Sequence, residues 1–189
     1  AESYRAEGIA YYSEKAYPEA IAAFSRSLNN MDDPDKEFKK DVQFYLAQAR
    51  MDYGEVDKAI EVYSEILKAG EDEQAFFLRG KAYISMEDYK NAEKDFQRAL
   101  EGCEDYNLYI NIYQIYVDHN KAVDGDAYLK MALELEPQDG EDCYHRGRIY
   151  EYEKNYEAAR DELKTAMEQG YEDAMLLLGR VYLEMEDPA

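Results

Sequence analysis

Residues 80–100, GKAYISMEDYKNAEKDFQRAL, hold the pattern on which the fold rests. Gly80 and Tyr83 lead, and Ala92, Phe96, Ala99 and Leu100 follow. Small and apolar residues three and four apart share one face of a 3.6-residue helix, so the stretch reads as two amphipathic helices whose stripes meet. Working outward, the same frame returns as Gly8, Tyr11, Ala20, Phe24 and Leu28, and again as Gly147, Tyr150, Ala159, Leu163, Ala166 and Met167. Two looser copies lie between: Leu46, Ala47, Ala59, Tyr63, Leu67, and Ile112, Tyr116, Leu129, Ala132, Leu133, closed by Pro137. A sixth copy opens at Leu178, Gly179 and Tyr182. A period of roughly 30 to 35 residues is that of a stacked helical repeat.

The recurring small residue, Gly8, Ala47, Gly80, Gly147 and Gly179, stands where the two helices of a unit approach most closely, because only a missing or tiny side chain allows a short interaxial distance. Between units, Gly70, Gly102, Gly140 and Gly170 precede acidic residues and read as a helix stop followed by an acidic helix start. Two departures stand out. The segment Asn29 to Lys36 around Pro34 adds residues between the first two units, predicting a longer loop or an extended helix. Tyr113 takes the place of the small residue in the fourth unit and Gly125 that of its second-helix alanine, predicting a splayed or shifted hairpin.

Composition agrees. The chain has 189 residues and 22.0 kDa, enough for a real core without staples. Hydrophobic residues make up 46%, including 20 Tyr, which separates it from disordered chains of similar charge. Acids number 43 against 22 Lys and Arg, a net charge of -21 that repels phosphate backbones and anionic lipid surfaces and argues against nucleic-acid partners. No window approaches the about 18 uninterrupted apolar residues of a spanning helix, so direct membrane insertion is not expected. Cys103 and Cys143 form neither a metal spacing nor a disulfide framework and read as unbridged thiols, which favours a reducing, cytoplasmic compartment. A start at Ala1 fits a removed initiator, a cleaved leader or an excised piece equally, so an extracytoplasmic location stays open.

The frame resembles the tetratricopeptide repeat family along essentially the whole chain, with Tyr4, Gly8, Tyr11, Tyr17, Ala20 and Phe24 its best-matching unit. The run from Gly170 to Ala174, leading into Leu178 and Gly179, is also similar to Sel1-like repeats. The resemblance implies an all-α, right-handed α-solenoid of about five and a half helix-turn-helix repeats in one superhelical domain over 1–189. The units are taken as 1–35, 40–72, 73–105, 106–138 and 140–171, with a half repeat at 172–189. No polar closing helix follows that half repeat, so the expectation is that the chain continues or a partner covers the end.

The resemblance also implies a concave groove floored by the first helix of each unit. Here that floor reads Arg5, Ala6, Ile9; Phe44, Tyr45, Gln48; Phe77, Leu78, Lys81; Ile110, Asn111, Gln114; Tyr144, His145, Arg148; Leu176, Leu177, Arg180. None is acidic, although 43 acids in 189 residues would place about four there by chance. Burial depletes all charge, yet four cations remain, which favours an aromatic groove with a basic ladder suited to an acidic and hydrophobic peptide. The carboxylate-gripping set of the chaperone-tail-binding members would fall on Arg5, Ile9, Tyr45, Gln74 and Leu78, where only the charge of Arg5 survives, so that specialisation is not expected.

Catalytic chemistry finds no footing. His119 and His145 lack metal-ligand spacing, and the acids Asp32, Asp33, Asp35 and Glu37 lack the glycine and distal glutamate of an EF-hand loop. No nucleophile elbow or phosphate-cradling loop is present, so neither cofactor, metal nor catalytic residues are assigned. The expected function is a non-catalytic protein-interaction scaffold. A structural role is the alternative, with self-association or docking through Leu176, Leu177 and Leu183 of the half repeat; a regulatory domain of a larger or surface-anchored protein is another.

Overall fold

A computed structural model describes residues 1–31 and 35–186. Among these residues the fold is all-α, with eleven helices. They form two compact units, Ala1–Glu101 and Gly102–Ala189. The first holds α1 (Glu2–Ser13), α2 (Tyr17–Asn29), α3 (Lys36–Tyr53), α4 (Val56–Ala69), α5 (Glu73–Ser85) and α6 (Tyr89–Ala99). The second holds α7 (Tyr106–Asp118), α8 (Ala122–Leu133), α9 (Gly140–Tyr152), α10 (Tyr156–Glu168) and α11 (Ala174–Glu186). In the first unit each helix packs on the next; in the second α7 packs on α8, and α10 lies between α9 and α11. No described helix is long and apolar enough to cross a membrane.

One device closes every hairpin. The chain turns after the first helix through a single left-handed residue: Lys15, Gly54, Glu87, Asn120 and Lys154, with φ of 60°, 90°, 58°, 58° and 58°. The next amide then reaches back to a carbonyl of the last helical turn, as in Ala16 to Tyr11, Glu55 to Arg50, Asp88 to Tyr83, Lys121 to Tyr116 and Asn155 to Tyr150, at 2.8–2.9 Å. This bond satisfies a carbonyl the helix end would otherwise leave open. The acidic starts are present as well. Asp72, Asp105 and Asp139 accept from the amides of Ala75, Asn107 and Glu141, each such cap contributing about 1 kcal/mol.

The hairpins are knit at the small residues. A Cβ built on Gly8 would lie 2.5 Å from the Phe24 ring, one on Gly80 2.7 Å from the Phe96 ring, and one on Gly147 2.7 Å from Leu163. Phe24, Phe96 and Leu163 are fully buried, each contributing roughly 1.5–3 kcal/mol by leaving water. The frame fails at Gly179, where nothing lies within 4 Å of the Cβ position: among the described residues no helix packs on that face of α11. Gly140 also departs from expectation. It opens α9 rather than stopping a helix, and its missing side chain admits the Ala166 carbonyl, 2.9 Å from the Cβ position.

The unusual fourth unit is not splayed. Gly125 of α8 receives Tyr113, whose Cδ2 would stand 3.1 Å from a Cβ there, so large and small residues have exchanged helices and the hairpin stays packed. Between the first two hairpins, α3 absorbs part of the excess sequence as an 18-residue helix. Residues 32–34 of that segment, including Asp32, Asp33 and Pro34, lie outside the described residues. Cys103 is half-buried and Cys143 buried, and neither forms a disulfide.

Two largely buried ion pairs complete the cores. Arg79 grips Asp95 through two bonds of 2.7 Å and donates to Ser64 Oγ at 3.0 Å. Arg146 donates to Glu162 at 2.8 Å and to the Leu135 carbonyl at 2.9 Å. Each pair joins the arginine beside a notch glycine to the second helix of its own hairpin.

Candidate functional site

The floor residues divide between the two units. In the first, Arg5 is already engaged: its Nε lies 2.5 Å from Asp41, and its guanidinium carbon is 5.4 Å from the Tyr45 ring centre and 6.0 Å from that of Phe38. Tyr45 stacks on Phe24 at 5.5 Å, Phe44 tilts against Tyr63 at 6.3 Å, and Phe77 against Phe96 at 6.1 Å. These rings thus give one edge to the core and offer the rest of a half-buried face outward. Ile9 is half-buried against the same core. Gln48 donates to Asp52 at 3.1 Å, and the Tyr12 hydroxyl donates to the same carboxylate. Burial and that acceptor together push the Tyr12 phenol up to about 12. Lys81 differs from all of these, being exposed and without an ion pair among the described residues.

In the second unit the structure gathers Tyr144, His145 and Arg148 with Asn107, which sequence reasoning missed. His145 is buried, its Nε2 3.0 Å from the Asn107 amide and its Nδ1 3.2 Å from Arg148 Nη1. The guanidinium and the Asn107 NH2 group both donate and a neutral imidazole has a single acceptor nitrogen, so the ring accepts from one of these two neighbours at a time. Burial and then the Arg148 charge push the His145 pKa down, against the opposing pull of Glu141 and Asp105. The Arg148 guanidinium carbon sits 5.8 Å from the Tyr144 ring centre, and Tyr144 tilts against Tyr171 at 5.1 Å. No carboxylate pairs with Arg148 among the described residues. Arg180 is held by Glu151 at 2.6 Å. Asn111 and Gln114 lie on α7, Asn111 exposed and Gln114 donating to Asp118 at 3.0 Å.

Of the four cations expected on the floor, then, Asp41 and Glu151 neutralise Arg5 and Arg180, while Lys81 and Arg148 have no carboxylate partner among the described residues. Asp52 and Glu151 follow Gln48 and Arg148 by four and three residues, and Asp41 precedes Phe44 by three. That spacing puts the acids on the first helices but does not name their partners, since Asp41 and Glu151 reach Arg5 and Arg180 on neighbouring first helices.

A family model for the tetratricopeptide repeat matches residues 73–105 and 143–169. Both stretches are tetratricopeptide repeats. Both matched stretches contain a notch glycine and the paired arginine beside it. A thermophilic tetratricopeptide repeat protein of Thermus thermophilus, TTC0263, is 19% identical, with 96% of this chain and 98% of that chain covered and a TM-score of 0.52. MamA residues 41 to the end, from Desulfovibrio magneticus RS-1, is 16% identical over 89% and 93% at a TM-score of 0.56. A chain of the APC/C hetero-tetramer Cut9-Hcn1 is 19% identical over 98% of this chain and 37% of that chain, at 0.55. At these identities the likeness establishes the α-solenoid fold of helical hairpins. No curated protein sequence matches. The family is generally one of non-catalytic scaffolds, and the repeats imply a protein-interaction role.

Proposed function

We propose that this chain receives an extended or helical peptide carrying both acidic and hydrophobic residues on the first-helix faces of its hairpins. The observation that carries the reading is the state of Lys81 and Arg148. In a chain with 43 acids, neither cation has a carboxylate partner among the described residues; Lys81 follows the half-buried Phe77 by one helical turn, and the Arg148 guanidinium lies over the half-buried Tyr144 ring. A guanidinium fork takes a carboxylate through two bonds, and the rings cover apolar stems, so the combination selects acidic and hydrophobic ligands over basic ones. The overall negative charge pulls basic molecules to the other surfaces by long-range steering, which salt weakens.

Peptide display against the wild-type chain is expected to enrich sequences that alternate Asp or Glu with aromatic or aliphatic residues. Lys81→Glu with Arg148→Glu should lose that enrichment while keeping wild-type helicity, and Glu93→Lys on an exposed second-helix face should keep it. Glu162 is unsuited as a control because it holds Arg146. Enrichment of basic peptides, or equal enrichment on the double variant, refutes the reading.

A further inference from the structure

Helix α9 carries a buried histidine that is short of acceptors. His145 is 5% exposed, and each ring nitrogen faces a donor: Asn107 Nδ2 at 3.0 Å from Nε2, and Arg148 Nη1 at 3.2 Å from Nδ1. With one acceptor nitrogen on the neutral ring, one of these donors is always left over, and a site with surplus donors is completed by an acceptor from outside. Arg148 holds more donors in reserve. Its bonds leave from Nη1 alone, to His145 and at 3.5 Å to Asn107 Oδ1. Its Nε and Nη2, the pair that forms a side-on fork to a carboxylate, have no acceptor among the described residues. The charged groups acting on the ring are Arg148 and Glu141 of α9 itself and Asp105 at the start of α7. Glu141 stands 3.7 Å from Nε2 and is more than half exposed. On the helices beside α9, Glu162 of α10 is engaged by Arg146 and Arg180 of α11 by Glu151, and Tyr171 in the link between those helices meets Tyr144.

We propose that Asn107, Tyr144, His145 and Arg148 form a proton-linked carboxylate subsite: a ligand carboxylate takes the Nε–Nη2 fork of Arg148, His145 gains a proton from solvent, and affinity rises as pH falls. The inference rests on the groove reading and adds the residues and the regulation of its second-unit end. The charges give the sign. With the face empty, the Arg148 cation opposes a second positive charge on the ring. A bound carboxylate cancels that opposition. The protonated ring has two donors and no acceptor, so its contact with Arg148 Nη1 is given up, and Glu141 is the anion nearest the new proton. One proton passes from solvent to a ring nitrogen, and no bond between heavy atoms changes. Ligand and proton then favour each other by the same factor.

The probe is the capped dipeptide N-acetyl-Glu-Phe-amide, one carboxylate and one ring, with N-acetyl-Gln-Phe-amide as its uncharged match. Its glutamate stays ionised above about pH 5.5, so a gain on acidification comes from the protein. NMR of the full chain follows the Arg148 Nε–H signal for affinity and the His145 ring signals for titration, with His119 told apart through His145→Gln. The glutamate probe should bind about fivefold or more tightly at about pH 5.5 than at about pH 7.5, and its saturation should raise the His145 titration midpoint. Arg148→Gln should lose the binding, and His145→Gln should lose the gain. The wild-type midpoint decides even where the latter variant fails to fold. Equal affinity at both pH values with an unmoved midpoint, an equal gain for the glutamine probe, or a gain that persists in His145→Gln overturns the proton linkage and leaves the groove reading standing. Absence of glutamate-probe binding at either pH overturns the subsite, whereas the groove reading falls only to the display result.

Discussion

Gly80→Ala tests whether the notch is a close crossing or merely a tolerated glycine. In a helix interior alanine is favoured over glycine by about 0.8–1 kcal/mol, so an uncrowded site would gain that much. At Gly80 the new carbon would stand 2.7, 2.8 and 3.3 Å from three atoms of the Phe96 ring, whereas carbon atoms rest at about 3.5–4.0 Å. The ring must retreat by most of an ångström. It is fully buried and already tilted against Phe77 at 6.1 Å, so the retreat displaces a second aromatic residue. Overpacking of this kind costs about 1–3 kcal/mol. The net expectation is a loss of about 0.5–2 kcal/mol for Gly80→Ala and about 3 kcal/mol for Gly80→Leu. Gly179→Ala, with no neighbour within 4 Å, should instead gain up to about 1 kcal/mol. Urea unfolding followed by circular dichroism measures all three as midpoint shifts at an unchanged slope. A Gly80→Ala variant as stable as wild type or more stable refutes the reasoning, because it would mean the ring yields freely.

Two further outcomes are expected. Asp95→Ala should destabilise by about 3–5 kcal/mol because it strands a largely buried guanidinium, whereas Asp41→Ala, which releases the more exposed Arg5, should cost less than about 1 kcal/mol in the same urea assay. The folded-state pKa of His145 lies below that of the unfolded chain, so on acidification the unfolded chain takes up a proton that the folded chain resists; stability should fall as pH drops below about 6.5, and His145→Gln should lose less stability than wild type between about pH 7.5 and 5.5.

The hairpin frame was legible because its causes are local. A glycine and a phenylalanine at a repeated separation, with tyrosine and alanine at helical spacing, state which faces meet, and the rings of Phe24 and Phe96 lie on the notches that the spacing implies. The asymmetry between Gly80 and Gly179 was not legible, because the same local pattern stands in both places and only the absence of a facing helix among the described residues distinguishes them. Tyr113 and Gly125 mislead for a related reason. Each substitution breaks the pattern when taken alone, while the volumes exchanged across the α7–α8 interface compensate, and volume is a property of the pair.

The same distinction separates the legible ion pairs from the illegible ones, and it bears on which charges remain for a ligand. Arg79 to Asp95 and Arg146 to Glu162 both span 16 residues, because each pair links the two helices of a single hairpin and the turn between them is of one kind. A repeat-aligned reading reaches them directly: Arg-Gly recurs at 79–80 and 146–147, with an acid at a constant distance. Arg5 to Asp41 and Arg180 to Glu151 span 36 and 29 residues in the chain, since they link first helices of successive hairpins whose offset differs with loop and helix length. The 18-residue α3 lengthens one of those offsets. A floor cation next to such a carboxylate is satisfied within the protein, and one without it is not. The resemblance gave four equivalent cations on the first helices; the differing offsets between hairpins pair Arg5 and Arg180 with carboxylates and leave Lys81 and Arg148 without one among the described residues.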